Sequence, residues 1–347
     1  MAIFFDAPVE PDELTQYVRD VPSPAVLGFT NLFPRRDLDT NTVDFAEIVR
    51  TNRTARYRSW DGRVHVSERD TGSEKRVKLL PLSSSLTMGE YERVQLEFAR
   101  TGGTNQRALA AAVYNDATNL TREVQFRLEQ AWGDVIADGK LTINEGGYAG
   151  EADFGVPGNQ VVTAATVWTD LTNGKPLTDL LSWSDVYNTN NGVRPGAFKS
   201  SLRVLRLMQR SKEVIDAVYG STQGRTRVNT SELIDLLSSE GLPTPAGDPY
   251  DTQVDVDGVA TRVFPDDRIA LMPSDPGELG YTAWGVTATA LELVRSGDSE
   301  LTFEEAPGIV GVVDKSDGVP YREQTIVDAA AMPILANARL LMVADVA

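Results

Sequence analysis

Residues 104–143 read TNQRALAAAVYNDATNLTREVQFRLEQAWGDVIADGKLTI. Leu109, Val113, Ala117, Leu120, Val124, Leu128, Trp132 and Val135 recur at spacings of three and four, which is the signature of one apolar helix face. Thr104, after Gly102-Gly103, is an N-cap candidate, and Gly139 after Asp138 is a stop. The spacing predicts one helix over 104–138, roughly 50 Å long at about 1.5 Å per residue. That is several times an average globular helix. The pattern lacks sustained heptads, so the helix is expected to act as a backbone for other elements and not as a coiled coil.

Downstream, β signals follow at once. Lys140–Asn144, a turn at Gly146-Gly147, Glu151–Phe154 and Val161–Trp168 read as strands. Residues 176–187 and 203–219 read as helices, and a third starts near Asn229 or Thr230 and stops at Gly241. Thr252–Val256 and Ala260–Phe264 are strands joined at Asp257-Gly258, followed by Arg268–Met272. Gly308–Lys315 and Leu340–Val346 are the last strands, with a helix expected between them over Asp328–Ala336. The mixture is α+β without βαβ alternation.

Upstream, Pro8, Pro11, Pro22, Pro24 and Pro34 break any period in residues 1–45, apart from a short helix around Asp12–Arg19. That segment is too small for a core of its own and is expected to lie on another element. Residues 50–78 differ in charge. Nine Lys/Arg face four Asp/Glu, a net of +5. The basic side chains are Arg50, Arg53, Arg56, Arg58, Arg63, Arg69, Lys75, Arg76 and Lys78. Arg53–Ser67 alternates about Asp61-Gly62, a type I′ hairpin signal. Pairing there groups Arg56, Arg58, Trp60, Arg63 and His65 on one face, with Asp70-Thr71-Gly72 as a second possible tip. An isolated hairpin is marginal in water, so this one should rest on a surface.

The 347-residue chain carries 33 Lys+Arg and 50 Asp+Glu, a net of −17, with one histidine and no cysteine. Length suggests about two domains. Without cysteine there are no disulfides, thiolate metal sites or thiol nucleophiles. The negative surplus opposes general nucleic-acid binding. No apolar run nears the roughly 20 residues that span a bilayer, and no secretory leader pattern opens the sequence, so a cytosol-like compartment is expected.

Chemical motifs have plainer explanations. Asp153-Phe154-Gly155 copies a kinase magnesium triplet without its companion loops, and reads as a strand end. A calcium loop aligned on Gly258 would need carboxylates where Gln253 and Phe264 stand, so Asp257-Gly258 reads as a turn. Gly220–Gly224 and the paired glycines match no phosphate-binding fingerprint. His65 sits among arginines with no acidic orienter or nucleophile. No catalytic, cofactor or metal residues are assigned, and no cofactor is expected. The basic hairpin has three readings: a solvated loop, a phosphate contact, or a contact with the acidic surface of another copy. The net −22 of the remaining chain opposes the second and favours the third.

The order of elements resembles the Hong Kong 97-type capsid fold, and within it the lambda-type (E-type) major capsid proteins of tailed phages. Asp138–Ile143, Glu151–Gly155, Gln253–Asp267, Leu279–Gly285 and the tail around Met332–Asn337 and Leu341–Val346 carry the likeness. It is strong from about residue 104 and weak over the first 50. It implies an N-terminal arm (1–45) and an extended loop (46–85). It also implies a peripheral domain (86–195 with 332–347, spine helix 104–138) and an axial domain (196–331). The implied function is a shell subunit, not an enzyme, forming hexamers and pentamers around double-stranded DNA in a phage head. Assembly would take place in the bacterial host cytoplasm, with a separate scaffolding protein, a portal, an optional decoration protein and no membrane. Arg53, Arg56, Arg58, Trp60, Arg63, Lys75, Arg76 and Lys78 become the expected inter-subunit contacts. Some relatives cross-link Lys to Asn, and Lys75 or Lys78 with Asn337 would be the residues available for it. Two alternatives remain: an encapsulin-like nanocompartment shell, and a soluble hydrolase using a carboxylate pair.

Overall fold

The computed structural model describes residues 9–46, 74–91, 94, 105–220, 224–256, 258–296, 300–315 and 322–347. In chain order the elements begin with α1 (Pro11–Asp20), β1 (Arg35–Asp37), β2 (Thr42–Ala46), β3 (Glu74–Lys78) and β4 (Pro81–Met88). Next come α2 (Asn105–Asp138), β5 (Lys140–Glu145), β6 (Tyr148–Asp153), β7 (Val161–Thr163), α3 (Pro176–Asn191) and β8 (Ala197–Ser200). Then follow α4 (Leu202–Arg210), α5 (Lys212–Tyr219), α6 (Thr230–Ser239), β9 (Thr244–Pro245), β10 (Gln253–Val256), β11 (Val259–Arg262) and β12 (Arg268–Met272). The last are α7 (Pro276–Leu279), β13 (Tyr281–Gly285), α8 (Ala288–Ser296), β14 (Val310–Lys315), β15 (Glu323–Ile334) and β16 (Met342–Asp345).

The chain forms two compact units, 1–43 with 78–132 and 281–334, and 44–77 with 133–280 and 335–347. Residues 196–280 fall in the second unit and 281–331 in the first.

The first unit is organised on β15. Asp328 pairs with both Ser83 and Val310, and Ala330 with both Pro81 and Gly285. β4 therefore lies along one edge of β15, while β13 and β14 lie end to end along the other. α8 is inserted between those two collinear strands, and β1 adds in parallel to β13. One face of this sheet, with Val313, Val327, Ala329 and Ala331, buries Val113, Ala117, Leu120, Val124 and Leu128 of α2 and Leu14 and Val18 of α1. The other face, with Val310, Val312 and Ile326, takes Ala290 and Leu293 of α8.

Here one expectation is overturned. Asp328–Ala336 is not a helix: Asp328–Ile334 is the second half of the twelve-residue strand β15, and Leu335 and Ala336 lie just beyond it. Alanine favours helix locally, but residues 323–330 have a strand on each edge, and Ala329 and Ala331 leave room for α2 to approach. The helix expected over 203–219 is two. Ser211 between them is extended (φ −62, ψ 135), its hydroxyl donating to Gly174 O at 3.3 Å while Lys212 N donates to Leu171 O at 2.8 Å. Ser211 keeps its own helical bonds, N to Leu207 O at 2.9 Å and O from Ile215 N at 3.1 Å, so the tertiary bond of Lys212 N is what turns the chain between the two helices.

The second unit is built on the sheet β7-β16-β12-β8-β9, with the two-stranded ribbons β5-β6 and β10-β11 outside it. The strand expected over Val161–Trp168 ends at Thr163. Trp168, Tyr187 and Phe198 are fully buried, and the Tyr187 hydroxyl donates to Leu340 O at 3.0 Å. α2 ends at Asp138 as predicted, with Gly139 at φ +77; its expected cap, Thr104, lies outside the described residues.

Gly133 sits inside α2, where alanine would ordinarily add about 1 kcal/mol of helix propensity. A Cβ at Gly133 would instead meet the Val263 carbonyl oxygen at 2.1 Å. Gly133→Ala is therefore expected to destabilise by about 1–3 kcal/mol through overpacking. A higher urea midpoint than the parent chain would contradict this packing.

Candidate functional site

The sequence directs attention to the basic loop. Its root is the two-stranded ribbon β2-β3. Lys75 and Arg76 lie on β3, and Lys78 ends that strand exposed to solvent. Arg53, Arg56, Arg58, Trp60, Arg63 and His65, with the Asp61-Gly62 turn, lie outside the described residues.

The structure adds a clamp at the root that periodicity could not reveal. Asn41 precedes β2, and its side-chain amide copies a strand neighbour. Nδ2 donates to Val286 O at 2.7 Å, and Oδ1 accepts from Val286 N at 2.8 Å. Leu79 N, just after β3, donates to Asn41 O at 2.9 Å, so both strands of the ribbon meet at one residue. Gly285 makes the approach possible, because a Cβ there would meet Asn41 Oδ1 at 2.4 Å and Leu79 Cδ1 at 2.7 Å.

The segment before the loop is sewn onto the first unit. Thr15 Oγ1 donates to Gly311 O at 3.2 Å, and Gly311 lets Leu14 and Val18 press on β14. Arg19 donates to the carbonyls of Ile309, Glu305 and Pro307 at 3.0, 2.8 and 3.4 Å. Burial, and then the nearby Arg35 charge, push the Arg19 guanidinium below its ordinary pKa. Glu129 of α2 is fully buried, and its carboxylate accepts from Phe29 N at 2.8 Å and from Thr30 N and Thr30 Oγ1, both at 2.6 Å. One turn later Phe33 stacks on Trp132 at 3.8 Å, and Trp132 Nε1 donates to Thr282 Oγ1 at 2.9 Å. Arg35 and Arg36 then cover the rings of Trp284 and Tyr281.

The chemical motifs fold as turns and caps. Asp153 Oδ1 accepts from Gly155 N at 2.8 Å, closing β6 with Gly155 at φ +84. Asp255 Oδ1 accepts from Gly258 N at 2.7 Å in the β10-β11 turn. Gly220 caps α5, and Gly146-Gly147 turn β5 into β6. Among the described residues no group of acidic or imidazole side chains is arranged to hold a metal ion, and no helix is long and apolar enough to cross a membrane.

What the geometry presents is a long helix buried along one face, a sheet wrapped by the N-terminal segment, and a two-stranded ribbon fixed beside it. A family model described as phage major capsid protein E matches residues 10–346. The chain belongs to that family. The fold is shared with solved structures. A protein assigned as the capsid protein of a prophage of E. coli CFT073 is 17% identical, with 98% of this chain and 99% of that one covered and a TM-score of 0.62. A phage-related protein of Bordetella bronchiseptica RB50 is 14% identical, with 96% of each chain covered and a TM-score of 0.51. The capsid of an empty GTA particle is 10% identical, covering 94% and 91%, with a TM-score of 0.50. No curated protein sequence matches. The α+β architecture is thus the Hong Kong 97-type capsid fold, and the capsid subunit is a virion component.

Proposed function

We propose that this major capsid protein assembles into hexamers and pentamers of an icosahedral head that encloses double-stranded DNA. The family match over residues 10–346 carries this reading. An encapsulin-like shell would share the fold, so the family assignment, and not the architecture, favours a phage head. A carboxylate-pair hydrolase would be a discrete soluble species with turnover. Gel filtration with negative-stain microscopy separates it from both shells.

The mechanism is geometric. Residues 1–45 act as the arm and 46–85 as the extended loop, which lies across a neighbouring subunit. Residues 86–195 with 332–347 take the peripheral role, and 196–331 the axial one. Charge pairs set orientation, while buried apolar area supplies most of the affinity. A separate scaffolding protein, a portal and an optional decoration protein complete assembly in the host cytoplasm. An acidic inner wall suits a container whose polyanionic contents must enter and leave, because it repels phosphate.

Reversing Arg56, Arg58 and Arg63 to Glu is expected to leave a folded subunit, by circular dichroism and gel filtration, that yields no shells by negative stain. Shells of normal yield would overturn the loop contact.

A further inference from the structure

A second basic stretch lies in the other unit. Residues 199–227 carry seven Lys/Arg against two Asp/Glu, a net of +5 in a chain of −17. Within it α4 buries Val204, Leu205 and Met208, and places Arg203, Arg206 and Arg210 at spacings of three and four on its exposed side. Arg203 is held by Asp266 at 3.2 Å. Beyond it, Arg210, Lys212, Arg225 and Arg227 line a cleft of about 570 Å³ with Thr226 at its rim and Ile215 in its wall.

The cleft is built and braced. The extended Ser211 sets Lys212 against residues 171–174. Val228 N donates to Gln209 O at 2.8 Å and Gln209 Nε2 to Thr230 Oγ1 at 2.9 Å, tying the 225–229 segment beside α4. The Arg225 guanidinium lies 3.8 Å over the Tyr219 ring, whose hydroxyl donates to Glu232 at 2.5 Å. Neighbouring carboxylates have other work. Asp170 accepts from Thr172 N, Asn173 N and Asn173 Nδ2, and Glu213 accepts from Leu177 N, Thr178 N and Thr178 Oγ1. Among the described residues Arg210, Lys212 and Arg227 are in no ion pair, while Arg225 shares the Tyr219 hydroxyl with Glu232 and lies in the field of that carboxylate.

We propose that this cleft receives a carboxylate-bearing segment of a second copy of the chain. The inference rests on the shell reading above. Outside residues 50–78 and 199–227 the chain carries a net −27, so neighbouring copies supply carboxylates at high local density and fixed geometry. Guanidinium forks match carboxylates bidentately. A duplex would instead require a row of cations following its phosphates, and here the cations converge on one cleft in an acidic molecule. A basic patch on one copy meeting an acidic patch on the next is a heterologous contact, the kind that closes rings.

Because the chain has no cysteine, Thr226→Cys introduces a unique thiol at the rim. It is labelled with a benzophenone maleimide, mixed-isotope subunits are assembled, and the shells are irradiated and mapped by mass spectrometry. The expected cross-links join two copies and fall in peptides rich in Asp and Glu. Cross-links within one chain, to carboxylate-poor peptides or to packaged DNA would overturn the proposal. As a second measurement, the triple variant Arg210→Glu, Arg225→Glu, Arg227→Glu should lower shell yield at least tenfold with circular dichroism unchanged, and the corresponding Lys variants should recover most of it. Unchanged yield, or a loss of binding to a fluorescent 20-base-pair duplex as the only effect of reversal, would also overturn it. If the parent chain forms no shells, the shell reading fails and this inference with it. If the parent assembles and the cross-links fall elsewhere, only this inference fails.

Discussion

Trp132→Ala is expected to lower subunit stability by about 3–5 kcal/mol, the range for deleting a buried large aromatic side chain. Trp132 is fully buried and stacks at 11° to the ring of Phe33. Its removal leaves a cavity between α2 and the N-terminal segment and takes the indole donor from the Thr282 hydroxyl, itself 3% exposed. Trp132→Phe keeps part of the stack and loses the hydrogen bond, so it should cost less than Trp132→Ala and at least the roughly 1 kcal/mol of one such bond. Urea unfolding followed by circular dichroism checks both, preferably on subunits kept from assembling by the loop reversals, so that unfolding is not coupled to shell dissociation. Equal midpoints for the parent and Trp132→Ala would show that the arm does not use this helix as its seat.

The second large effect is expected at Glu129. Its carboxylate serves three donors from Phe29 and Thr30, two of them backbone N–H groups in a turn that buries Leu27, Phe29 and Phe33. Hydrogen bonds to a charged group are each worth about 1.5–3 kcal/mol net, and orphaned buried N–H groups keep their desolvation cost. Glu129→Ala should therefore cost about 3 kcal/mol or more. It should also open residues 20–40 to limited proteolysis, because the Phe29 and Thr30 N–H groups lose the acceptor that holds that turn on α2. Glu129→Gln retains one oxygen but turns an NH₂ group toward a donor, and should fall between the two. Protease resistance equal to the parent chain in Glu129→Ala would rule out this anchoring.

Trp132 and Glu129 also show where reading from the sequence stopped. Both lie in the stretch that predicted α2, and Trp132 was placed on its apolar face by periodicity alone. Glu129 carries the opposite signal, since a carboxylate on a helix reads as solvated. Only the turn at Phe29 and Thr30, about a hundred residues earlier, makes it a buried acceptor. Asn41 was silent for the same reason: an asparagine before a strand reads as a turn residue until Val286 is alongside it. The loop arginines were legible as a charge imbalance, because net charge needs no partner to be counted. The 199–227 cluster, of equal net charge, escaped notice. Its cations are spread over a strand, two helices and a following segment, and the four of the cleft, Arg210, Lys212, Arg225 and Arg227, converge only because Ser211 breaks the helix.

Local chemistry was therefore determined by the sequence alone. Spacings of three and four set α2, Gly139 ended it, Gly146-Gly147 and Gly258 turned their ribbons, and the charge split marked the loop. These outcomes depend on residues within a turn or two of one another. The strand state of residues 323–334, the necessity of Gly133 and Gly285, the burial of Glu129 and the basic cleft were decided by tertiary structure. In each case the deciding neighbour comes from another segment of the chain: β4, β13 and β14 for β15, Val263 for Gly133, Asn41 and Leu79 for Gly285, and residues 171 and 225–227 for the cleft. An alanine-rich segment with a strand on each edge gains more from ladder hydrogen bonds and close packing than its helix propensity of a few tenths of a kcal/mol per residue, or about that, can oppose.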